Sequence, residues 1–187
     1  MTTALQGVLP VAPTVFHEDE TLDLEGQRRV TEFLIDAGSA AVCVLANYSE
    51  QFSLTDDERV RVLQATLDQA DGRVPVIATT SSYSARIARE RSLDAQRRGA
   101  QIAMLMAPFF GATMTVAQGA VLDYFPDRRC RARRRHHGAG RPMSPTPLSV
   151  ELLATLAEIP QVQHAKIEMP RTATKIRALA VQDAAHG

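Results

Sequence analysis

The sequence predicts an α/β fold on the (β/α)8, TIM-barrel type plan, incomplete, with about six βα units. Three observations predict it. Apolar runs of strand length begin near residues 8, 41, 74 and 101, a repeat of roughly 30 residues. These runs are continuous rather than alternating, as expected of strands buried on both faces in a parallel sheet. The first βα turn carries no glycine-rich phosphate loop, which favours the barrel over a dinucleotide-binding open sheet.

Val8 to Phe16 (VLPVAPTVF) is apolar, and its two prolines exclude a helix. HEDETLD then turns the chain. Val30, Phe33, Leu34 and Ala37 follow at helical spacing and predict a buried stripe, closed by Gly38. Ala40 to Ala46 (AAVCVLA) is the second strand. After the polar NYSEQFSL, Thr55 and Glu58 form a capping box for a helix buried through Val60, Leu63, Leu67 and Ala70, ended by Gly72. Val74 to Thr79 is the third strand, SSYS a loop, and Ile87 to Arg98 a helix closed by Gly99. Gln101 to Ala107 is the fourth strand, with a helix expected over 116–125.

The repeat then calls for strands near 130 and 160. The sixth is present as Val162 to Ile167, preceded by a helix from Ser149 to Ala157. The fifth slot reads DRRCRARRRHHGAGR, without apolar alternation or a β-branched residue. The expectation is therefore one partial barrel domain over residues 1–187, with an Arg-rich disrupted segment at 127–141 inside it. Such barrels usually run to about 250 residues, so a chain of 187 reads as truncated after its sixth unit.

Charges balance overall, 21 basic against 21 acidic residues, and so argue for neither a nucleic-acid nor a membrane partner. Residues 128–141 nevertheless hold seven arginines and no acid. Three readings compete for this run. It is a nucleic-acid patch, a solvated and disordered insertion, or the product of a gene shifted out of frame, since GC-rich codons misread give Arg, Ala, Gly, His and Pro. No aromatic residue interleaves the arginines, so nucleic acid is not the expected partner.

Cys43 and Cys130 have no partner at metal-ligand spacing, which points to a reducing, cytoplasmic location. The start of the chain lacks the basic and apolar blocks of a signal peptide, and no run approaches the length of a membrane span. His17, His136 and His137 read as solvated, and His164 as a satisfied rim histidine. Glu168 either orients polar groups at the rim or is structural. No metal cluster is visible and no cofactor is called for.

Lys166 stands out against this background. The chain has 19 arginines but only two lysines, Lys166 and Lys175. Arginine serves as a surface charge, whereas only lysine can shed its proton near neutrality and attack a carbonyl carbon. The plainer alternative is a solvated charge just past a strand end.

The ordered blocks GVLPVAPTVF, LANYSEQFSLTDDER, GRVPVIATT, RRGAQIAMLMAPFF and VQHAKIEMP together resemble the dihydrodipicolinate synthase and N-acetylneuraminate lyase family, class I aldolases that handle pyruvate. They cover roughly residues 7–125 and 142–180. The resemblance implies that Lys166 forms a Schiff base with pyruvate or a related 2-keto acid, for aldol addition or cleavage. Burial among apolar strand neighbours would favour the neutral amine. The family's Gly-Thr-Thr-Gly-Glu loop, implied to hold the substrate carboxylate, reads Ala46, Asn47, Tyr48, Ser49, Glu50 here, with backbone N–H groups and hydroxyls as donors. An ordinary polar loop is the alternative.

Two proton-relay tyrosines of the family are replaced. One falls at Phe110, a further substrate-binding candidate, and the other near Ala139. The family's carboxylate arginine falls at Ser144, with Arg141 nearby. The partners implied are a small 2-keto acid and a homo-oligomer of the family's kind. An inactive fragment of such an enzyme, serving at most as an interaction surface, is the competing expectation.

Overall fold

The computed structural model describes residues 5–108, 117–124, 135–140, 148–168 and 172–186. Phe110, Cys130, residues 127–134, Arg141 and Ser144 lie outside these. The chain forms two compact units, residues 1–79 with 94–103, and residues 80–93 with 104–187.

The first unit is built on β1 (Val42–Val44) and β2 (Val76–Thr79), parallel, with Cys43 in register with Ile77. Every residue of both strands is buried, as their unbroken apolar sequence requires. Residues 8–16 lie alongside β1. The Ala40 N–H donates to the Val8 carbonyl, Cys43 to Pro10, and Ala12 to Cys43. Pro10 brings no N–H to this ladder, which is a single bridge between Val11 and Cys43 rather than a full first strand.

Helix α1 (Leu24–Asp36) starts where the Asp23 carboxylate accepts the Gly26 N–H at 2.6 Å. Its buried face differs from the expected stripe. Phe33 is 68% exposed and Ala37 is also exposed, whereas Gln27 and Thr31 are buried. Of the four residues expected inside, Val30 and Leu34 pack on the core. Thr31 tolerates burial because its hydroxyl donates to the Gln27 carbonyl one turn back, at 2.8 Å. Gly38, with φ +82°, closes the helix in the left-handed region as expected.

Helix α2 (Asp56–Ala70) begins with the expected capping box. Thr55 accepts from the Glu58 N–H while the Glu58 carboxylate accepts from the Thr55 N–H. Just past the end of α2, Arg73 ties the chain to α1 by donating through both terminal nitrogens to the Glu32 carboxylate, at 2.8 and 2.5 Å.

Helix α3 (Ala85–Arg98) and strand β3 (Ile102–Met106) each contribute residues to both units, and β3 is buried throughout. The second unit continues with α4 (Gln118–Tyr124), β4 (Arg135–Gly140), α5 (Val150–Ala157), β5 (Val162–Glu168) and α6 (Thr172–His186). Its core gathers Leu105, Val121, Leu148, Leu152, Leu153 and Leu156. Ser149 caps α5 by accepting the Leu152 N–H.

One expectation is corrected here. The sequence predicts no strand in the arginine-rich slot, yet Arg135–Gly140 forms β4, parallel to β5. A ladder is made by backbone groups, so it does not require apolar side chains. The disruption survives as a register shift between Arg135 and His136.

Candidate active site

In the first unit, the candidate anion loop is a short 3-10 turn, Asn47–Ser49, that follows β1 directly. Two non-glycine residues in the left-handed region bracket it: Leu45 at φ 60° and Glu50 at φ 55°. Each such residue costs on the order of 1–2 kcal/mol and persists only where its surroundings impose it. Here they do. The Ser49 hydroxyl donates to the Ala12 carbonyl at 2.6 Å, and the Thr14 hydroxyl donates to the Ser49 carbonyl at 2.7 Å.

The N–H groups of Ser49 and Gln51 both bond to the Ala46 carbonyl, and that of Glu50 to the Asn47 carbonyl. Two of the amides expected to receive an anion, those of Ser49 and Glu50, are therefore turned inward to close the turn. Ser49 is only 1% exposed, so its hydroxyl belongs to the scaffold. The Tyr48 ring is 69% exposed, Glu50 is exposed, and Asn47 is half-buried with its side-chain carbonyl accepting from Gln51 Nε2.

Arg59, which the sequence reading passed over, sits beneath this turn. It is buried, and its guanidinium donates to the Gln51 carbonyl at 3.0 Å and to the Thr79 carbonyl at 2.8 Å. One signal could have found it: position 59 falls on the same helical stripe as Leu63, Thr66 and Ala70, all buried.

In the second unit, Lys166 is the fifth residue of β5 and pairs in register with Gly138 of β4. It is half-buried, less enclosed than its apolar sequence neighbours suggest; Ala165 beside it is exposed and Ile167 half-buried. The other lysine has a structural task. Lys175 Nζ donates to the Leu148 carbonyl and so ties α6 to the start of α5. Ala139 lies in β4 opposite Ile167.

The loop after β2 is also tightly held. The Tyr124 hydroxyl donates to the Ser82 carbonyl at 2.8 Å and accepts the Ser82 N–H at 3.3 Å. Burial pushes the Tyr124 phenol above its ordinary range, which keeps it a donor. Ser81 Oγ accepts the Met106 N–H, and the Arg91 guanidinium donates to the Ser81 carbonyl.

The structure thus brings Asn47, Tyr48, Ser49 and Glu50 onto one turn of the first unit and places Lys166 on a strand of the second. Among the described residues no group of three or more His, Cys, Asp or Glu side chains is arranged to hold a metal ion. No helix among them is long and apolar enough to cross a membrane.

The model of the dihydrodipicolinate synthetase family matches residues 4–126. An L-2-keto-3-deoxyarabonate dehydratase of Azospirillum brasilense is 43% identical over 175 residues, covering 93% of this chain and 57% of its own length. A 4-hydroxy-tetrahydrodipicolinate synthase of Nitrosococcus oceani is 36% identical over 104 residues, 56% of this chain and 36% of that protein. The chain therefore spans little more than half the length of the dehydratase.

Among solved structures, a chloride-inhibited dihydrodipicolinate synthase from Acinetobacter baumannii, complexed with pyruvate, superimposes with a TM-score of 0.83 at 24% identity, over 95% of this chain and 61% of that one. A Ruminococcus gnavus sialic acid aldolase, a catalytic lysine mutant, gives 0.85 at 16% identity, over 95% and 58%. These likenesses establish the fold as part of a (β/α)8 barrel, the class that the order of elements predicts.

Proposed function

The chain belongs to the dihydrodipicolinate synthetase family, and from that premise we propose that it is a lyase whose Lys166 condenses with pyruvate or a related 2-keto acid. The observation that carries the reading is Lys166 itself, an amine near the carboxyl end of a parallel strand, where barrels of this type place their chemistry. The neutral amine adds to the keto carbon, and loss of water gives an imine. The imine then accepts the electron pair left when a proton departs from the adjacent carbon, forming an enamine. That enamine adds to an aldehyde or, in reverse, is what remains when a carbon–carbon bond breaks.

Similarity to the dehydratase extends the reading. A 2-keto-3-deoxy acid carries a hydroxyl one carbon beyond the deprotonated position. Its enamine expels that group as hydroxide, which takes up a proton to leave as water, and hydrolysis of the resulting imine frees Lys166. Phe110 and Ala139, where the family has tyrosines, fit a substrate different from the synthase's. For the substrate carboxylate we assign the Asn47 amide and Tyr48 phenol as donors. Ser49 holds the turn in place, and Glu50, itself an anion, shapes it.

Incubation with pyruvate and borohydride, followed by mass analysis of the Lys166 peptide, tests the proposal. An adduct on Lys166 that is absent from Lys166→Ala supports it; a folded sample without adduct overturns it. A second reading, an inactive derivative of such an enzyme, is favoured by the composition of β4, whose RHHGAG brings no apolar slab to the second unit. That reading predicts no adduct and a broad, weakly cooperative melt.

A further inference from the structure

We propose that Arg59 is a positioning residue for the Asn47–Ser49 turn, which it holds in shape by gripping two backbone carbonyls at once. The inference deepens the reading of that turn as a carboxylate site and rests on it. Arg59 is 6% exposed and lies in the first turns of α2, where the helix dipole disfavours a cation. A buried guanidinium is costly to desolvate, and an apolar residue would fill the same inward position with less penalty.

What the guanidinium adds is geometry. Its planar fork spans the Gln51 carbonyl, where the loop leaves the turn, and the Thr79 carbonyl, at the end of β2. The Ser49 hydroxyl donating to Ala12, and the Thr14 hydroxyl donating to Ser49, clamp the other side of the turn to the extended segment at Ala12 and Thr14. Glu50 lies between these two grips and Leu45 just before the turn, both in left-handed backbone conformations that persist only where the surroundings impose them. Arg59 therefore acts through the backbone of the turn, and touches no substrate.

Amide exchange and pyruvate trapping on the full chain test this together. In Arg59→Met the Ser49, Glu50 and Gln51 amides should exchange about ten-fold faster than in the parent while α1 amides keep their rates. The pyruvate concentration giving half-maximal borohydride adduct should rise about ten-fold, with the plateau retained. Arg59→Lys, a single point donor that cannot span both carbonyls, should fall between the two; it also serves if Arg59→Met does not fold. Unchanged loop exchange in either folded variant overturns the proposal. So does uniform acceleration across α2 and β2 without a shift in half-saturation, the mark of a merely structural arginine. A parent that traps no pyruvate sinks the Schiff-base reading, and the exchange pattern alone then decides for Arg59.

Discussion

β1 and β5 are both parallel strands leading to candidate site residues, yet they are enclosed differently. Val42, Cys43 and Val44 are all buried, whereas on β5 only Val162 is, among the side chains described. The partner strands explain the contrast. β2 offers Val76, Ile77 and Ala78 opposite β1, while β4 ends in Gly138, Ala139 and Gly140 opposite Lys166, Ile167 and Glu168. Backbone pairing and side-chain burial are separable, and only the first depends little on which residues are present. The first unit has both; the described core of the second gathers side chains from β3, α4 and α5, with Ile167 of β5 partly buried against it.

Core truncations should expose this difference most strongly. Ile77→Ala empties a fully buried site and should cost about 3–5 kcal/mol, whereas Ile167→Ala, half-buried, should cost about 1–2 kcal/mol. Urea midpoints at constant slope would measure both. Equal losses would mean that β5 is packed as tightly as β2. Next in size is Gly26→Ala in α1, where an added Cβ would clash with Asp23 Oδ2 and lie 2.7 Å from Val15 Cγ1. Displacing the capping carboxylate and overpacking Val15 should together cost about 1–3 kcal/mol.

Caps compare the units at a smaller scale. Thr55 exchanges bonds with Glu58 in a reciprocal box that also satisfies its own backbone N–H, whereas the Ser149 side chain accepts the Leu152 N–H and bonds the Glu151 carboxylate. Thr55→Ala should therefore cost about 1 kcal/mol and Ser149→Ala somewhat less. A reversed order in thermal melts would show that the second unit depends on its helices more than its packing implies.

Much of this was legible in the sequence, for physical reasons that differ by element. β1, β2 and β3 are buried on both faces, so their apolar runs announce them. The α2 cap was legible because it is local, two side chains three residues apart. β4 was not, because composition reports side chains and its ladder is backbone. The α1 face was misread because Gln27 and Thr31 are buried polar residues, the latter bonded back to its own helix, while Phe33 is left in solvent. At the site, Lys166 could be singled out by its rarity. Arg59 carried a weaker signal, its place on the buried stripe of α2, while its two carbonyl partners are seen only in the structure.

The finest difference between the units is electrostatic. Among the described residues, carboxylates held below their ordinary range lie mostly in the first unit. They are Asp19, through the Thr21 hydroxyl; Asp23, through the Gly26 N–H; Glu58, through the Thr55 N–H; and Asp94, whose burial is outweighed by Arg98 and Arg97. Glu32, bonded by Arg73 and Gln69, is lowered from 4.5 to about 2. The second unit has Glu151, held by its own N–H at the start of α5. A carboxyl lowered by folding binds its proton more readily in the unfolded chain, so its contribution is complete above the ordinary value and fades as pH falls. For Glu32 that window runs from 4.5 down to about 2. Acidification through it should lower the amide protection of α1, relative to intrinsic exchange at each pH, before that of α5, and Glu32→Gln should flatten the α1 response. Because these groups are at least partly open to solvent, added salt should shrink the effect. If α5 opens first, the ion pair between Glu32 and Arg73 is not what distinguishes the first unit in acid.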